Sequence, residues 1–353
     1  MSHAAAFSPD YATARSRFRN AAAAAGARLE SHPISAPGPD GVELSIDVAT
    51  WGGPERRRAV VVSSGLHGVE GLLGSAVQTA LLEGRFRGDK LPPDARLVML
   101  HGLNPFGFAW RRRVNEDNVD LNRNFLLPGE PYAGAPPHYR ELDGLLNPPS
   151  PPGGCDPLRF KAALAELRLG RGVLRQTLPV GQYEFPKGLF FGGHGPSQTQ
   201  RIVAENFPCW LAGAEEVLHV DFHTGLGPWA GYVVWPSGPA NSPQALRLRQ
   251  RLGGNALGHF YPARGAWGAW CEARFADRGY RFATVEFGTY SQFRVGAALR
   301  AENRAHFWCP PGDPRLDRAR AKLVEAFAPS DSRWRDSALR QGLALFDRAV
   351  REG

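Results

Sequence analysis

Hydrophobic positions in the first fifty residues follow first a helical and then a strand-like period. Residues 11–27 form an alanine-rich amphipathic segment and predict a helix, whereas residues 28–34 and 42–50 are predicted as strands. The turn sequence PGPDG at residues 37–41 lies between the two strands and predicts a hairpin. Pro33 limits the first strand to the edge of a sheet, because proline donates no backbone hydrogen bond.

Two continuous apolar runs follow, and they are typical of buried central strands. The first covers residues 59–63 and the second, RLVMLH, covers residues 96–101. Residues 71–82 between them have the pattern of a helix. A strand, a helix and a strand at this spacing predict a parallel pair of strands with a right-handed crossover.

The alternation of strands and helices continues to the end of the chain. Residues 126–154 are rich in proline and glycine and predict a long surface excursion. Further strands are predicted at residues 216–222, 231–235 and 281–287, and further helices at 156–169, 198–212, 291–307 and in two segments between about 314 and 350. The pattern predicts an α/β sandwich around a mostly parallel, mixed sheet. Without an internal repeat or a clear linker, residues 1–353 are expected to form one domain.

Composition and charge exclude several functional classes. The 353 residues are 43% hydrophobic and 22% charged, which is ordinary for a globular protein. The net charge of +8 raises the question of nucleic acid binding. Only four of the 42 basic residues are lysines, however, and the densest arginine runs are three residues long. We therefore expect a solvated basic surface and no nucleic acid partner.

The cysteines and the N-terminal sequence indicate the cellular environment. Four scattered cysteines without a C-x-x-C pair do not suggest a disulfide framework or a cysteine-based zinc knuckle, and reduced thiols fit a cytoplasmic protein. The first twenty residues lack the features of a signal peptide, and no run approaches eighteen apolar residues. We expect no membrane partner.

Polar side chains follow the carboxyl ends of the predicted strands, which is where open α/β sheets bind ligands. SSGLHGVEG follows the first buried run and provides His67 and Glu70. The next strand leads to three arginines at residues 111–113 and to NVDLNRNF. DFHTGLG provides His223, and VEFGTY provides Glu286. These residues are expected to converge on one edge of the sheet.

One imidazole, one carboxylate and a second imidazole from a distant strand, with one position left for water, form the pattern of a catalytic zinc site. The alternative is that His67 is a turn residue with a satisfied hydrogen bond. The combination with His223 and with the arginine and asparagine cluster favours the metal site. Glu286 lies on an apolar strand, where a carboxylate is costly unless it is functional or paired. His101 and His194 are interpreted as loop or supporting residues rather than ligands.

Four motifs in this order, SSGLHGVEG, NPFGFAWRRRVNEDNVDLNRNF, VDFHTG and VEFGTY, resemble the zinc carboxypeptidase superfamily. That superfamily includes the aspartoacylase and succinylglutamate desuccinylase-like deacylases. The closest resemblance is to an uncharacterised bacterial branch, a domain of unknown function. The similarity runs from about residue 63 to residue 290. It implies a three-layer α/β/α sandwich with a mostly parallel, mixed central sheet, and one Zn²⁺ per chain.

The resemblance also implies catalytic roles. His67, Glu70 and His223 match the three zinc ligands. Glu286 matches the residue that acts first as general base and then as general acid. An arginine normally polarises the scissile carbonyl; Arg113 is the first candidate here, and the neighbouring Arg112 is the second.

Further roles concern the substrate and the supporting residues. Asn122 and Arg123 match a pair that holds the substrate's carboxylate, which a planar guanidinium grips through two parallel hydrogen bonds. Asp120 matches a carboxylate that orients a ligand histidine. Asp221 either supports a ligand or makes a hydrogen bond in the core. A mobile tyrosine near the substrate is assigned to Tyr261, with Tyr290 as its rival.

The resemblance and the residues that match it imply a zinc hydrolase that cleaves an amide bond next to a free carboxylate, in a small molecule or a peptide. The nearest alternative is an N-acyl amino acid deacylase, in which the excursion at residues 126–154 narrows the entrance of the pocket. A non-catalytic binding module on the same fold is a further alternative. A serine hydrolase is not favoured, because no G-x-S-x-G motif follows a strand.

Overall fold

A seven-stranded mixed sheet organises the chain in the computed structural model, which describes residues 3–84, 95–153, 156–170, 180–239, 241–254 and 263–351. The strands lie in the order β1-β2-β4-β3-β5-β7-β6. Their bounds are β1 Arg28–Pro33, β2 Ser45–Trp51, β3 Arg58–Ser64, β4 Ala95–His101, β5 Glu216–Gly225, β6 Tyr232–Pro236 and β7 Gly279–Gly288.

Parallel pairing is confined to the four central strands. β4 pairs with β3, β3 with β5, and β5 with β7 in parallel. The outer pairs β1–β2, β2–β4 and β6–β7 are antiparallel. The prediction of a mixed sheet is confirmed, and so is the predicted hairpin of β1 and β2. β1 lies at the edge, as Pro33 requires.

Eleven helices accompany the sheet within the described part of the chain. They are α1 Tyr11–Ala24, α2 Gly71–Gly84, α3 Pro105–Trp110, α4 Tyr139–Leu146, α5 Leu158–Leu169, α6 Gln198–Leu211, α7 Pro243–Leu252, α8 Trp267–Arg274, α9 Gln292–Trp308, α10 Pro314–Phe327 and α11 Ser332–Arg351. The periodicity does not predict α3, α4, α7 or α8. Each has ten residues or fewer, which is too short for a helical pattern to stand out.

Helices cover both faces of the sheet. One hydrophobic core joins α1, α2, α7 and α11 to the first face, and a second joins α6 and α8 to the other. Alternate residues of each strand belong to opposite cores: Val60 and Val62 of β3 face the first, and Val61 faces the second. The predicted three-layer α/β/α sandwich is confirmed.

The alternation along β5 gives one face of that strand an unusual composition. Val217 lies in the core formed with α6 and α8, and the residues at steps of two along the same face are His219, Asp221 and His223. All three polar side chains are buried. A row of buried polar side chains therefore runs along one face of β5 to the carboxyl end of the strand.

Two expectations about the environment concern cysteines and membrane helices. In the described ranges Cys209, Cys271 and Cys309 are free thiols, and Cys155 lies outside them. None of the helices in the described ranges combines the length and the apolar character needed to cross a membrane.

Candidate metal centre

The loop after β3 carries two of the predicted ligands and is fixed by glycine. A Cβ atom on Gly68 would lie 2.0 to 2.3 Å from backbone atoms of Gly107 and Phe108, so no larger residue fits there. The amide of Gly68 donates to the carbonyl of Arg113 (3.0 Å), and the amide of Val69 donates to that of Arg112 (2.8 Å). The ligand loop and the arginine segment are thus joined through their backbones.

Three side chains bring metal-binding atoms together. Nδ1 of His67 lies 2.9 Å from Oε1 of Glu70 and 3.2 Å from Nδ1 of His223. Nδ1 of His223 lies 3.1 Å from Oε2 of Glu70. The three residues are 2 to 3% exposed. Within the described ranges, they are the only group of three or more His, Cys, Asp or Glu side chains whose potential ligand atoms all lie within 4.8 Å of one another.

Nδ1 of His67, Nδ1 of His223 and the carboxylate of Glu70 are the candidate metal-ligand atoms, called the donor set below, and their arrangement fits a zinc ion. Donors at 2.0–2.2 Å from one tetrahedral ion lie about 3.3–3.6 Å from each other, close to the spacings found here. Two ring nitrogens that face each other at 3.2 Å also need a proton or a cation between them. His67, Glu70 and His223 would hold the ion, and two imidazoles with one carboxylate are the ligand types of catalytic zinc.

Each histidine rests on an aspartate through its other ring nitrogen. Nε2 of His67 lies 3.1 Å from Oδ1 of Asp120, and Nε2 of His223 lies 2.6 Å from Oδ2 of Asp221. The carboxylate at Nε2 of His223 keeps the proton on that nitrogen and leaves Nδ1 free to bind a cation, whereas Nε2 of His67 also lies 2.8 Å from Nη2 of Arg113. Asp221 also accepts a hydrogen bond from Ser63 (2.6 Å), so it makes both contacts that the sequence leaves open.

The guanidinium of Arg113 contacts one of the candidate ligands, Glu70, and the supporting Asp120. Its Nη1 donates to Oε1 of Glu70 (2.9 Å), and its Nε donates to Oδ2 of Asp120 (3.2 Å). Burial lowers the pKa of the Arg113 guanidinium, but Asp120 and Glu70 outweigh that effect and raise it. Its guanidinium carbon also lies 6.0 Å from the ring centre of Phe190, whose φ of +59° is rare for a bulky residue.

Arg112, the second candidate for the polarising arginine, makes its side-chain hydrogen bonds to residues other than the predicted metal ligands. Its side chain is fully buried, with Nε donating to Oε1 of Glu302 (2.8 Å) and Nη2 donating to Oδ1 of Asn118 (3.0 Å). Glu302 lies on α9, so this guanidinium is bound in the interior. Arg113 is the arginine at the donor set.

Glu286 lies beside His223, the third predicted ligand. It is the residue opposite His223 in the parallel pairing of β5 and β7, and it is 7% exposed. Its Oε1 accepts a hydrogen bond from the amide of Leu226 (2.9 Å). Burial, and then the charge of Glu70, raises the pKa of Glu286 to about 7. Such a carboxyl can accept and return a proton at neutral pH.

Asn122 and Arg123 lie in a turn that begins directly after Asp120. Nη1 of Arg123 donates to the carbonyl of Asn122 (2.6 Å), and Oδ1 of Asn122 accepts from the amide of Trp267 (3.0 Å). Arg123 is 6% exposed, and burial lowers the pKa of its guanidinium although Asp120 opposes this. The pair is next to the donor set, and its role toward a carboxylate stays a prediction.

The two tyrosine candidates differ in what can be described. Tyr261 lies outside the described residues. Tyr290 donates its hydroxyl hydrogen to Oε1 of Glu325 (2.5 Å), and the guanidinium carbon of Arg294 lies 3.4 Å from its ring centre. Tyr290 is therefore engaged by neighbours on α9 and α10.

The remaining histidines with a sequence interpretation lie apart from the donors. His101 is buried against α1, where its ring stacks on Phe18 at 4.5 Å and its Nε2 lies 2.9 Å from Oγ of Ser75. His194 is an exposed loop residue with its ring 4.9 Å from that of Phe191.

Three residues with contacts behind the site are not singled out by the sequence argument. Ser63 bonds Asp221, His219 bonds Ser63, and Tyr280 bonds His219. The signal that was available is the spacing in HVDFH, which puts His219 and Asp221 on the same strand face as His223.

Comparisons with known proteins identify a family and several solved structures of low sequence identity. A family model described as "Protein of unknown function (DUF2817)" matches residues 7–341. The curated proteins gave no match. Carboxypeptidase A from Helicoverpa armigera is 12% identical, with 90% of this chain and 74% of that chain covered and a TM-score of 0.49.

Two further solved structures are similar. Succinylglutamate desuccinylase from Chromobacterium violaceum is 18% identical, with 92% of this chain and 76% of that chain covered and a TM-score of 0.36. Murein-tripeptide amidase MpaA from Escherichia coli O157 is 17% identical, with 80% and 93% covered and a TM-score of 0.37. At these TM-scores the site rests on the residues of this chain alone.

Proposed function

The chain belongs to the DUF2817 family, and we propose that it is a zinc-dependent hydrolase that cleaves an amide bond next to a free carboxylate. One observation carries the proposal. Nδ1 of His67, Nδ1 of His223 and the carboxylate of Glu70 converge within about 3 Å, and Glu286 lies beside them on the next strand. That convergence combines a zinc-type donor set with a carboxyl suited to proton transfer.

A zinc ion, when bound, would supply a nucleophile at neutral pH by lowering the pKa of its bound water to about 7. Glu286 then takes the proton of the attacking water and returns it to the leaving nitrogen. Its pKa of about 7 suits both transfers. The amide of Leu226 holds Oε1 of Glu286, so the other oxygen is the one that is directed to the proton.

Arg113 stabilises the oxyanion that develops on the scissile carbonyl. Its Nη2 lies 2.8 Å from Nε2 of His67, a contact that is a hydrogen bond only when Nε2 carries no proton. If Nδ1 of His67 binds a cation, Nε2 carries the proton and donates it to Asp120. Nη2 of Arg113 then loses its acceptor on His67 and is available to the substrate.

Arg123 binds the free carboxylate of the substrate. Its aliphatic stem is held against Gly181, where an added Cβ atom would lie 2.6 Å from Cδ of Arg123. Gly181 has a φ of +100°, so a glycine suits this position for two reasons. A guanidinium fixed in this way loses little freedom when a carboxylate binds.

A deacylase acting on N-acyl amino acids is the second candidate. The excursion after residue 126 packs against the turn that contains Asn122 and Arg123. In this contact the hydroxyl of Tyr132 donates to the carbonyl of Asn124 (2.7 Å). Tyr183 donates to the carbonyl of Arg123 (2.7 Å), and its amide donates to the carbonyl of Gly134. These contacts hold the excursion against the turn that carries Arg123, which is the arrangement that a site restricted to small substrates requires.

The first test measures metal content and turnover together. We expect about one zinc per chain by elemental mass spectrometry, lost in His223→Ala and retained in His101→Gln, a buried histidine on the other face. Glu286→Gln should keep the zinc and lose at least 10²-fold in kcat, because the general base is gone. Substrates are dipeptides and N-acyl amino acids with free carboxylates, beside the same compounds with amidated carboxyls.

Each result has a distinct meaning. Turnover in Glu286→Gln equal to wild type would remove Glu286 as the base. Equal turnover of free and amidated substrates would remove the carboxylate requirement. Zinc binding without any turnover would favour the non-catalytic binding module.

A further inference from the structure

A chain of buried hydrogen bonds runs from His223 into the interior of the sheet. Asp221 contacts His223 and Ser63 at 2.6 Å each, and Oγ of Ser63 lies 2.7 Å from Nε2 of His219. Nδ1 of His219 lies 2.7 Å from the hydroxyl oxygen of Tyr280. These residues come from β3, β5 and β7 and are at most 8% exposed.

The protons in this chain can be assigned. Asp221 is a carboxylate and only accepts, so the single proton of Ser63 goes to Asp221 rather than to the neutral ring of His219. Oγ of Ser63 must then accept from His219, which places a proton on Nε2 of His219. Burial raises the pKa of the Tyr280 hydroxyl, which therefore keeps its proton and donates it to the unprotonated Nδ1 of His219. Cys271 also contacts this hydroxyl; burial raises the pKa of the thiol, so the S–H group is the donor to the hydroxyl oxygen.

The surroundings of His219 support a neutral ring with one N–H. Aromatic side chains of Phe207, Trp267 and Phe282 lie 4.5 to 5.9 Å from its ring centre. Burial lowers the pKa of His219 to about 3 although Asp221 opposes this. The ring therefore donates at one nitrogen and accepts at the other.

We propose that Ser63, His219 and Tyr280 are positioning residues that fix the orientation and the tautomer of His223 through Asp221. The hydrogen bonds run in one direction, from Tyr280 to His219, from His219 to Ser63 and from Ser63 to Asp221. Oδ2 of Asp221 is left to accept from Nε2–H of His223, so Nδ1 of His223 faces the other two candidate metal ligands, His67 and Glu70. The proposal rests on the proposed function only in taking His223 as a metal ligand.

An aromatic core with a single polar cluster is the simpler alternative. In that case the hydrogen bonds stabilise the fold but do not affect metal binding. Zinc affinity distinguishes the two cases, because the hydrogen bonds and their direction are the same in both. Loss of Ser63 would allow Asp221 to move toward a different partner and would loosen His223.

The test compares Ser63→Ala and Tyr280→Phe with Tyr232→Phe. Tyr232 donates its hydroxyl to the carbonyl of Leu252 (2.7 Å) in a buried site on β6, so it controls for the loss of a buried hydroxyl. Zinc affinity is measured by competition with a chelator. We expect about a tenfold loss for Ser63→Ala, a several-fold loss for Tyr280→Phe and no change for Tyr232→Phe.

A second readout does not need the metal. In ¹⁵N NMR of histidine-labelled, metal-free protein, His219 should be neutral with its proton on Nε2, assigned by the loss of its signals in His219→Gln. The Nε2–H signal of His223 should shift in Ser63→Ala. A proton on Nδ1 of His219 would overturn the proposal, and so would zinc affinities within twofold of wild type in both variants. If wild type bound no zinc, the proposed function would fail, and the NMR signals would still decide the chain of hydrogen bonds.

Discussion

Two regions of the molecule contain the same residue types from the same stretches of sequence. The edge region holds His223 and Arg113, and the interior region holds His219 and Arg112. All four side chains lie at least partly out of solvent, and their shortest polar contacts are 2.6 to 2.8 Å long. Residue type, burial and contact length therefore do not separate a candidate site from a structural cluster.

The two regions differ in which kinds of polar atoms lie opposite each other. In the interior region the hydrogen bonds join donors to acceptors: His219 lies between Ser63 and Tyr280, and Arg112 donates to Glu302. Nη1 of Arg112 is the exception and is buried without a hydrogen-bond partner. In the edge region two ring nitrogens and a carboxylate, all of them potential ligands, face one another. At this buried position a proton or a cation must lie between the two facing ring nitrogens.

The largest expected change in stability comes from the interior region. Arg112→Met leaves the buried carboxylate of Glu302 without its guanidinium, and we expect the free energy of unfolding to fall by about 3–5 kcal/mol. Denaturant unfolding measures this loss. The double variant Arg112→Met/Glu302→Leu should regain part of it, because no buried charge is left unpaired.

Zinc content completes this comparison. At a temperature where the variant is folded, Arg112→Met should bind as much zinc as wild type. A loss of zinc from a folded Arg112→Met protein would show that the arginine acts on the site as well, and the two regions would no longer be separate.

In the edge region, loss of the arginine should affect turnover. Arg113→Met should lower kcat by about 10²–10³-fold, since it removes the positive charge beside the developing oxyanion. Arg111→Met is the matched control, because Arg111 is an exposed neighbour in the same run. Equal kcat values for Arg113→Met and Arg111→Met would transfer the role to another residue.

A smaller effect is expected from pH. Burial lowers the pKa of His219 to about 3, so between pH 6.5 and pH 3 the unfolded chain binds a proton at this residue and the folded chain does not. Stability therefore falls as the pH falls through this window, by about 2 kcal/mol between pH 7 and pH 5. The measurement is denaturant unfolding at both pH values with a chelator present.

His219→Gln isolates this contribution. The variant should be less stable at pH 7 but should lose about 2 kcal/mol less than wild type between pH 7 and pH 5. His101, whose pKa burial lowers to about 4, stays in both proteins and cancels in the difference. Identical pH dependence in the two proteins would mean that His219 is not held neutral.

The sequence predicts the strands better than the arginine roles. Buried central strands are continuous apolar runs, so β3, β4, β5 and β7 stand out, and ligands at their carboxyl ends follow from the topology. Arg112 and Arg113 have no such signal. What separates them is Glu302, 190 residues away on α9, and no local pattern records a partner at that distance.

The spacing of the three donors along the chain has a consequence for folding. His67 and Glu70 are three residues apart, but His223 lies 156 residues after His67 and reaches it only when β3 and β5 are paired in register. An unfolded chain thus offers a cation two local ligands at most, which bind far more weakly than a complete set. Closing so long a loop is slow, so the sheet must assemble before the ion can be held. A bound metal would therefore slow the unfolding of the finished protein without guiding the folding of the chain.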